Sequence, residues 1–95
     1  MQRDIDIVVQ EVLRVLPETI IEQLKVAHPG VDDDGLWFFR LIGSSDSIQL
    51  ESSSGSAPFL IEYCEKSNNS VRIEGVSVDG ATLKVLEYLH VRNSR

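Results

Sequence analysis

Residues 35–64 read GLWFFRLIGSSDSIQLESSSGSAPFLIEYC, and the rest of the chain can be interpreted as packing against the sheet that this segment predicts. Three short runs rich in strand-forming residues, at 36–42, 47–52 and 59–64, alternate with two clusters of Ser, Gly, Asp and Pro. Short strands separated by turn-forming residues are typical of a β-meander. The pattern therefore predicts antiparallel strands, because connections this short cannot make the crossover that parallel strands need.

Alternation along these runs indicates which side of the sheet is buried. Trp37, Phe39 and Leu41 point one way, whereas the other side of the same strand carries Arg40. We expect the side without the arginine to face the core, together with Ile48 and Leu50 of the second run. A short fourth strand is predicted over residues 71–74, where Val and Ile alternate with Arg and Glu.

The segment before the sheet has apolar residues at helical spacing from residue 4 to residue 27. Pro17 interrupts it, and a proline inside a helix costs about 3 kcal/mol. Two structures fit this pattern: one helix kinked at Leu16–Pro17, or two helices with Pro17 at the first position of the second. His28-Pro29-Gly30 is expected to end the helical segment.

The chain ends in a second predicted helix, for which Ser77 is the expected N-cap. Its apolar spacing predicts a buried stripe made of Val78, Thr82, Leu83, Leu86 and Leu89. The sequence thus predicts a single α+β domain over residues 1–95 with two layers: an N-terminal helix kinked or split at Pro17, an antiparallel meander of three to four strands, and a C-terminal helix. Both helices are expected on one face of the sheet.

The composition of the chain limits which classes of molecule it can bind and indicates its cellular compartment. The chain has 95 residues and a formal net charge of −6, so we expect neither nucleic acid nor an anionic membrane as a partner. No apolar stretch approaches the roughly 20 residues that span a bilayer, and the N-terminus does not resemble a signal peptide. Cys64 is the only cysteine, so no disulfide within the chain is expected. These features favour a cytoplasmic protein.

Asp32-Asp33-Asp34 is the densest charge in the sequence. Calcium loops place their ligands at alternate positions and close with a glutamate, and neither feature is present here. The acids suit a turn between elements, or an acidic contact point for a basic partner.

The remaining polar residues do not form a known catalytic pattern. His28, His90 and Cys64 lack the spacing of a zinc site, and the serine-rich loop at 52–58 lacks the glycines of a nucleophile elbow. Glu51 and Glu62 could form a carboxylate pair for acid–base chemistry, but cross-strand ion pairs are the commoner use of such residues. No catalytic residue, metal or cofactor is therefore predicted.

The side of the sheet that carries Arg40 is the most informative feature. Its charged residues are interleaved with Leu36, Phe38, Ile42, Leu60 and Cys64. If both helices cover the opposite side, these apolar residues are exposed, and such mixed surfaces mark interaction sites. The alternative is that a helix, or the segment before Pro17, wraps round to cover them.

The stretches DDDGLWFFR, IQLESSSG and APFLIEY resemble those of a group of short bacterial proteins of unassigned function. The acidic helix–meander–helix layout is also similar, in shape and charge, to bacterial immunity proteins, which neutralise a toxin by direct binding. That likeness implies an inhibitory function by analogy only.

These observations favour a non-enzymatic protein-binding module that self-associates or docks a protein partner through the exposed side of the sheet. The residues expected to make contact are Asp32, Asp33, Asp34, Phe38, Arg40, Glu51 and Glu62. One alternative is a small-ligand or enzymatic site at the loop 52–58, using Glu51, Ser53 or Glu62. Another is an acidic inhibitor of the immunity-protein or antitoxin kind.

Overall fold

The computed structural model describes residues 3–24, 35–52, 55–64 and 69–93. Within them the chain forms one helix, a five-stranded sheet and a second helix. The elements are α1 (Asp4–Val15), β1 (Thr19–Leu24), β2 (Leu36–Leu41), β3 (Ile48–Glu51), β4 (Phe59–Cys64), β5 (Ser70–Val76) and α2 (Val78–Asn93). The sheet is antiparallel throughout, and its strand order, β1-β2-β3-β4-β5, follows the sequence. The predicted α+β meander between two helices is confirmed, with five strands rather than three or four.

Pro17 neither kinks nor splits a helix, so both predicted forms of the N-terminal segment are wrong. Helix α1 ends at Val15, and Leu16 has φ −128° and ψ 81°, since a residue before proline avoids helical angles. The backbone amide and the hydroxyl of Thr19 both donate to the Leu16 carbonyl, at 3.1 and 2.7 Å, closing a turn. The chain then enters β1, which pairs with β2 along its whole length.

The core lies between the helices and one face of the sheet, as alternation predicted. Trp37, Phe39 and Leu41 of β2 are buried. They pack with apolar residues from both helices and from strands β3 and β4, namely Ile5, Val8, Val12, Ile48, Leu50, Phe59, Ile61, Ala81, Val85, Tyr88 and Leu89. Helix α2 packs on β2, β3 and β4, whereas α1 packs mainly on α2 and touches β1. The helices therefore share one face of the sheet.

Helix α2 is rotated from the orientation that its leucines suggest. Ser77 caps it as predicted, accepting a hydrogen bond from the Gly80 amide at 3.1 Å. The predicted stripe is wrong at Leu83, which is 68% exposed, whereas Ala81, Val85 and Tyr88 lie inward instead. The large Tyr88 ring packs edge-on against Tyr63 of β4, with ring centroids 5.2 Å apart. Tyr88 thereby packs between α2 and β4.

Candidate protein-docking face

The face of the sheet turned away from the helices is the candidate site, called the outer face below. It consists of every second residue of the strands: Ile20, Glu22, Leu36, Phe38, Arg40, Gln49, Glu51, Leu60, Glu62, Cys64, Ser70, Arg72 and Glu74. The strand register aligns these side chains in rows across the sheet. One row contains Glu22, Phe38, Gln49, Glu62 and Arg72, and it joins all five strands.

The centre of the outer face is apolar and partly accessible. Leu36, Phe38 and Leu60 are each half-buried. Both described helices pack against the opposite face of the sheet. Alternating apolar and polar residues thus give this small sheet one face in the core and one face available for contact.

Ion pairs flank this apolar centre on both sides. Arg40 Nε lies 3.5 Å from Glu22 Oε1 at the β1 side. At the β5 side, the Arg72 guanidinium lies 3.8 Å from Glu62 and 3.4 Å from Glu74. Arg72–Glu62 is a cross-strand ion pair between residues that the sequence predicted to pair, whereas Arg40 pairs with Glu22 of β1 and the Arg72–Glu74 pair lies within β5. Since these groups are substantially exposed and the distances are long, each pair adds little stability, and its side chains can exchange partners.

Gln49 lies between Glu51 and Glu62, the two carboxylates that could form a pair for acid–base chemistry. Its amide Nε2 donates to Glu62 Oε1 at 3.1 Å and, more weakly, to Glu51 Oε1 at 3.5 Å. One amide therefore bridges Glu51 and Glu62 into a surface network spanning β3 and β4. The network presents carboxylate oxygens, which accept hydrogen bonds, next to the apolar ring of Phe38.

A cleft of about 420 Å³ opens at one end of the outer face. Its walls include Phe38, Gln49 and Glu62, and it continues past the loop that contains Asp46 to Tyr88 of α2. The Tyr88 hydroxyl closes the inner wall by donating to the Ser47 carbonyl at 3.0 Å. The outer face is therefore not flat, and a protruding side chain of a partner has a place to enter.

The loop at 52–58 is held by its own hydrogen bonds and by α1. The Ser52 hydroxyl, which is buried, donates to the Ser56 carbonyl at 2.6 Å and accepts from the Ser56 amide at 3.1 Å. The Ala57 amide donates to Asp4 Oδ2 at 2.8 Å. Beside the loop lies an open depression of about 260 Å³, bordered by Glu51 and Arg72 among others. Ser52 therefore has a structural role, and Ser53 lies outside the described residues.

The structure brings four of the predicted contact residues together. Phe38, Arg40, Glu51 and Glu62 all lie on the outer face. The acidic turn Asp32–Asp34 lies outside the described residues, and so does His28. His90 is exposed in the last turns of α2. Among the described residues, no three His, Cys, Asp or Glu side chains are grouped so that they could hold a metal ion.

Sequence reasoning missed two members of the outer face, Ile20 and Glu22, because they were assigned to a helix. The run Thr19-Ile20-Ile21 was the available signal, since consecutive β-branched residues favour strands over helices. Glu22 is important to the outer face because its carboxylate forms the ion pair with Arg40.

Comparison of the chain with protein-family models, with curated proteins and with solved structures found no match. Neither helix in the described part of the chain has the length and apolar character needed to cross a bilayer.

Proposed function

We propose that the chain is a non-enzymatic protein-binding module that docks a protein partner through the outer face. The observation that carries this proposal is the half-buried apolar centre, Leu36, Phe38 and Leu60, lying between two sets of ion pairs and away from both helices. An apolar centre within a polar rim is the usual arrangement of a protein interface.

Charge supports a partner whose surface carries basic groups around apolar ones. The outer face has four glutamates (Glu22, Glu51, Glu62 and Glu74) and two arginines (Arg40 and Arg72), which leaves a net charge of 4 × (−1) + 2 = −2. Both arginines already lie against glutamates of the same face. A basic partner would satisfy the remaining carboxylates and would be steered by the net charge of −6 on the whole chain.

Phe38 is the side chain that we expect to contribute most to binding. It is the one aromatic side chain in the five-residue row that crosses the sheet, next to Gln49 at the middle of that row, and it also lines the cleft. Aromatic side chains at the centre of an interface often dominate its energy, whereas exposed charges at the rim mainly affect the association rate. Glu51 and Glu62 supply the salt-dependent part of the interaction.

The test compares immobilised wild-type chain with two serine variants as bait for proteins of the source cell. Phe38→Ser removes the aromatic ring from the apolar centre without changing the charge, and Leu83→Ser makes the matched change on the opposite side of the molecule. We expect a protein that binds the wild type and Leu83→Ser, that is lost with Phe38→Ser, and that elutes as salt is raised. Circular dichroism establishes that both variants are folded.

The captured protein is then purified and titrated with wild type, Phe38→Ser and the double variant Glu51→Gln/Glu62→Gln. Weaker binding by both variants supports docking at the outer face by a basic partner. A partner that binds Phe38→Ser as tightly as the wild type contradicts the proposal. If the captured protein is a basic nuclease, the result favours the alternative in which the module is an inhibitor. If light scattering shows that the wild type self-associates and that only Phe38→Ser abolishes this, the partner is a second copy of the chain.

A further inference from the structure

The cleft at the end of the outer face opens where strands β3 and β4 separate. Pairing between β2 and β3 continues to Ile48, whereas pairing between β3 and β4 ends at Gln49. Just before β3, the Ser47 carbonyl accepts the hydrogen bond of 3.0 Å from the Tyr88 hydroxyl of α2. A space of about 420 Å³ lies here, bordered by the loop before β3 and by the end of β4. This end of the outer face is therefore a recess into which a side chain can be inserted.

The side chains along one wall of the cleft change in order from apolar to charged. Phe38, Gln49 and Glu62 are neighbours on β2, β3 and β4 in one row of the outer face. Adjacent strands lie about 4.8 Å apart, so the positions of Phe38 and Glu62 are separated by about 10 Å. Arginine and lysine have the same order, an aliphatic stem followed by a cationic head. A basic side chain can therefore lay its stem on the Phe38 ring and bring its head to the Glu62 carboxylate.

The charges of the cleft favour a cation. Asp46 and Glu62 both border it, and the lining that the described residues supply includes no Lys, Arg or His. Arg72, which is 60% exposed, approaches Glu62 only to 3.8 Å. Lys84 lies near the inner wall, but its Nζ is paired with Glu87 at 3.2 Å. An incoming cation would therefore meet carboxylates whose charge is only weakly compensated within the chain.

The acceptors on this wall suit a planar head with several donors. Gln49 Nε2 donates to Glu62 Oε1 at 3.1 Å. A carboxylate accepts several hydrogen bonds, so Glu62 has capacity for further donors, and Gln49 Oε1 is a second acceptor beside it. A guanidinium has five N–H donors in one plane, whereas a lysine ammonium is a compact and more strongly hydrated charge.

We propose that the cleft binds an arginine side chain of the protein partner, with its stem on Phe38 and its guanidinium between Gln49 and Glu62. This inference rests on the proposed function, and it adds the identity of the group that the outer face recognises. The apolar contact of the stem and the charged contact of the head are separable, because different side chains supply them.

The test is an NMR titration of the full ¹⁵N-labelled chain at low ionic strength with N-acetyl-arginine methylamide. The citrulline and lysine analogues are the matched probes, since citrulline keeps the shape of arginine but carries an uncharged urea. We expect the arginine probe to shift the signals of the Gln49 side-chain amide and of the Glu62 and Cys64 backbone amides. Its dissociation constant should be lower than that of the citrulline probe by at least about threefold, the effect of a partly exposed ion pair.

Three variants distinguish the two contacts. Glu62→Gln should bring the arginine probe to the affinity of the citrulline probe, whereas Glu18→Gln, the same change at an exposed residue before β1, should keep the difference. Phe38→Ser should weaken the arginine and citrulline probes equally, because both have the same stem. The dispersion of the backbone amide signals establishes that each variant is folded.

Equal affinity for the arginine and citrulline probes overturns the inference, as does a preference for arginine that Glu62→Gln leaves intact. A lysine probe that binds as tightly as the arginine probe overturns the choice of arginine. Capture of a protein partner tests docking separately. Loss of that partner with Phe38→Ser, together with equal affinity for the probes, would keep the docking face and remove arginine from the cleft. A preference for arginine in a chain that captures no partner would support the guanidinium site and contradict the proposed docking.

Discussion

The hydroxyl of Tyr88 on α2 donates a hydrogen bond to the backbone carbonyl of Ser47, just before β3, at 3.0 Å. The two residues are 41 positions apart in sequence, and Tyr88 is only 6% exposed. This contact fixes the second helix against the sheet at the end where the cleft opens. Ser47 is half-buried beside the cleft, and Tyr88 supplies a hydrogen-bond donor to its carbonyl from within the protein.

Replacing Tyr88 with Phe should destabilise the fold by about 1 kcal/mol, because the Ser47 carbonyl loses its buried donor while the packing of the ring is kept. For a domain of this size, that corresponds to a fall in Tm of about 4–8 °C. Thermal unfolding followed by circular dichroism measures it. Tyr63→Phe is the control, since the Tyr63 ring is less buried and lies next to Lys84, whose Nζ is 5.3 Å from its centroid. An equal loss in both variants would contradict the special role of the Tyr88 hydroxyl.

Asp4 should contribute more to stability than Asp6, although both lie in the first turn of α1. Asp4 Oδ2 accepts a hydrogen bond of 2.8 Å from the distant Ala57 amide, whereas Asp6 Oδ2 accepts one of 3.0 Å from the Arg3 amide, three residues earlier in the chain. We expect Asp4→Ala to lower the free energy of unfolding by about 1.5–3 kcal/mol, as for other hydrogen bonds to charged groups, and Asp6→Ala to have a smaller effect.

The pair is a matched comparison because both carboxylates interact similarly with the helix dipole. Urea unfolding of the two variants and of the wild type gives the difference. A larger loss with Asp6→Ala would mean that the loop at 55–58 is held by something other than Asp4.

Alanine substitutions at Gly43 and Gly55 distinguish the stability cost of backbone strain from the cost of steric crowding by an added Cβ. Gly55 and Gly43 have φ of +76° and +85°, in the left-handed region that favours glycine. A Cβ at Gly55 would lie 3.0 Å from the Ile5 Cγ2 atom, whereas a Cβ at Gly43 has no atom within 4 Å. Gly43→Ala should therefore cost about 1–2 kcal/mol from the backbone conformation alone, and Gly55→Ala should cost more.

Denaturant midpoints of the two alanine variants measure this difference. Equal midpoints would mean that α1 shifts to accommodate the added methyl group, and that Ile5 is not tightly seated against the loop.

Glu11 should titrate below its ordinary pKa of 4.5, chiefly because Arg14 hydrogen-bonds its carboxylate with Nε at 2.9 Å and Nη2 at 2.6 Å. Because the pKa of Glu11 is lower in the folded state, the ion pair stabilises the fold fully at pH values above the pKa of Glu11 in the unfolded chain. This stabilisation is lost as the pH falls through the lower pKa of the folded state. NMR titration of the side-chain carboxyl measures the value directly. In Arg14→Gln the pKa of Glu11 should rise towards 4.5, and an unchanged pKa would show that the ion pair does not persist in solution.

The alternation in β2, β3 and β4 was sufficient to predict the buried face, because a period of two assigns each side chain to one face or the other. The same alternation placed Phe38, Arg40, Glu51 and Glu62 together. Strand β1 could not be recognised in this way. Ile20 and Leu24 continue the helical spacing of α1 across Pro17, so the apolar pattern agreed with a helix while the local run of β-branched residues favoured a strand.

Helix α2 shows a second limit of sequence reasoning. Its apolar residues are distributed around the helix, so spacing alone does not define the buried side. The choice is made by Tyr88, which fits between α2 and β4, and it leaves Leu83 outside. The outward position of Leu83 was therefore not predictable from apolar spacing alone.

The strand order of the sheet has a consequence for how the chain folds. Every strand pairs only with the strands before and after it in sequence, so each pairing closes over a connection of 5 to 11 residues, and the described strands need no more distant partner. Folding rates fall as the sequence separation of contacts increases. We therefore expect the sheet to assemble hairpin by hairpin, and faster than a five-stranded sheet with crossing connections, with α1 docking last because Asp4 and Ala57 are 53 residues apart.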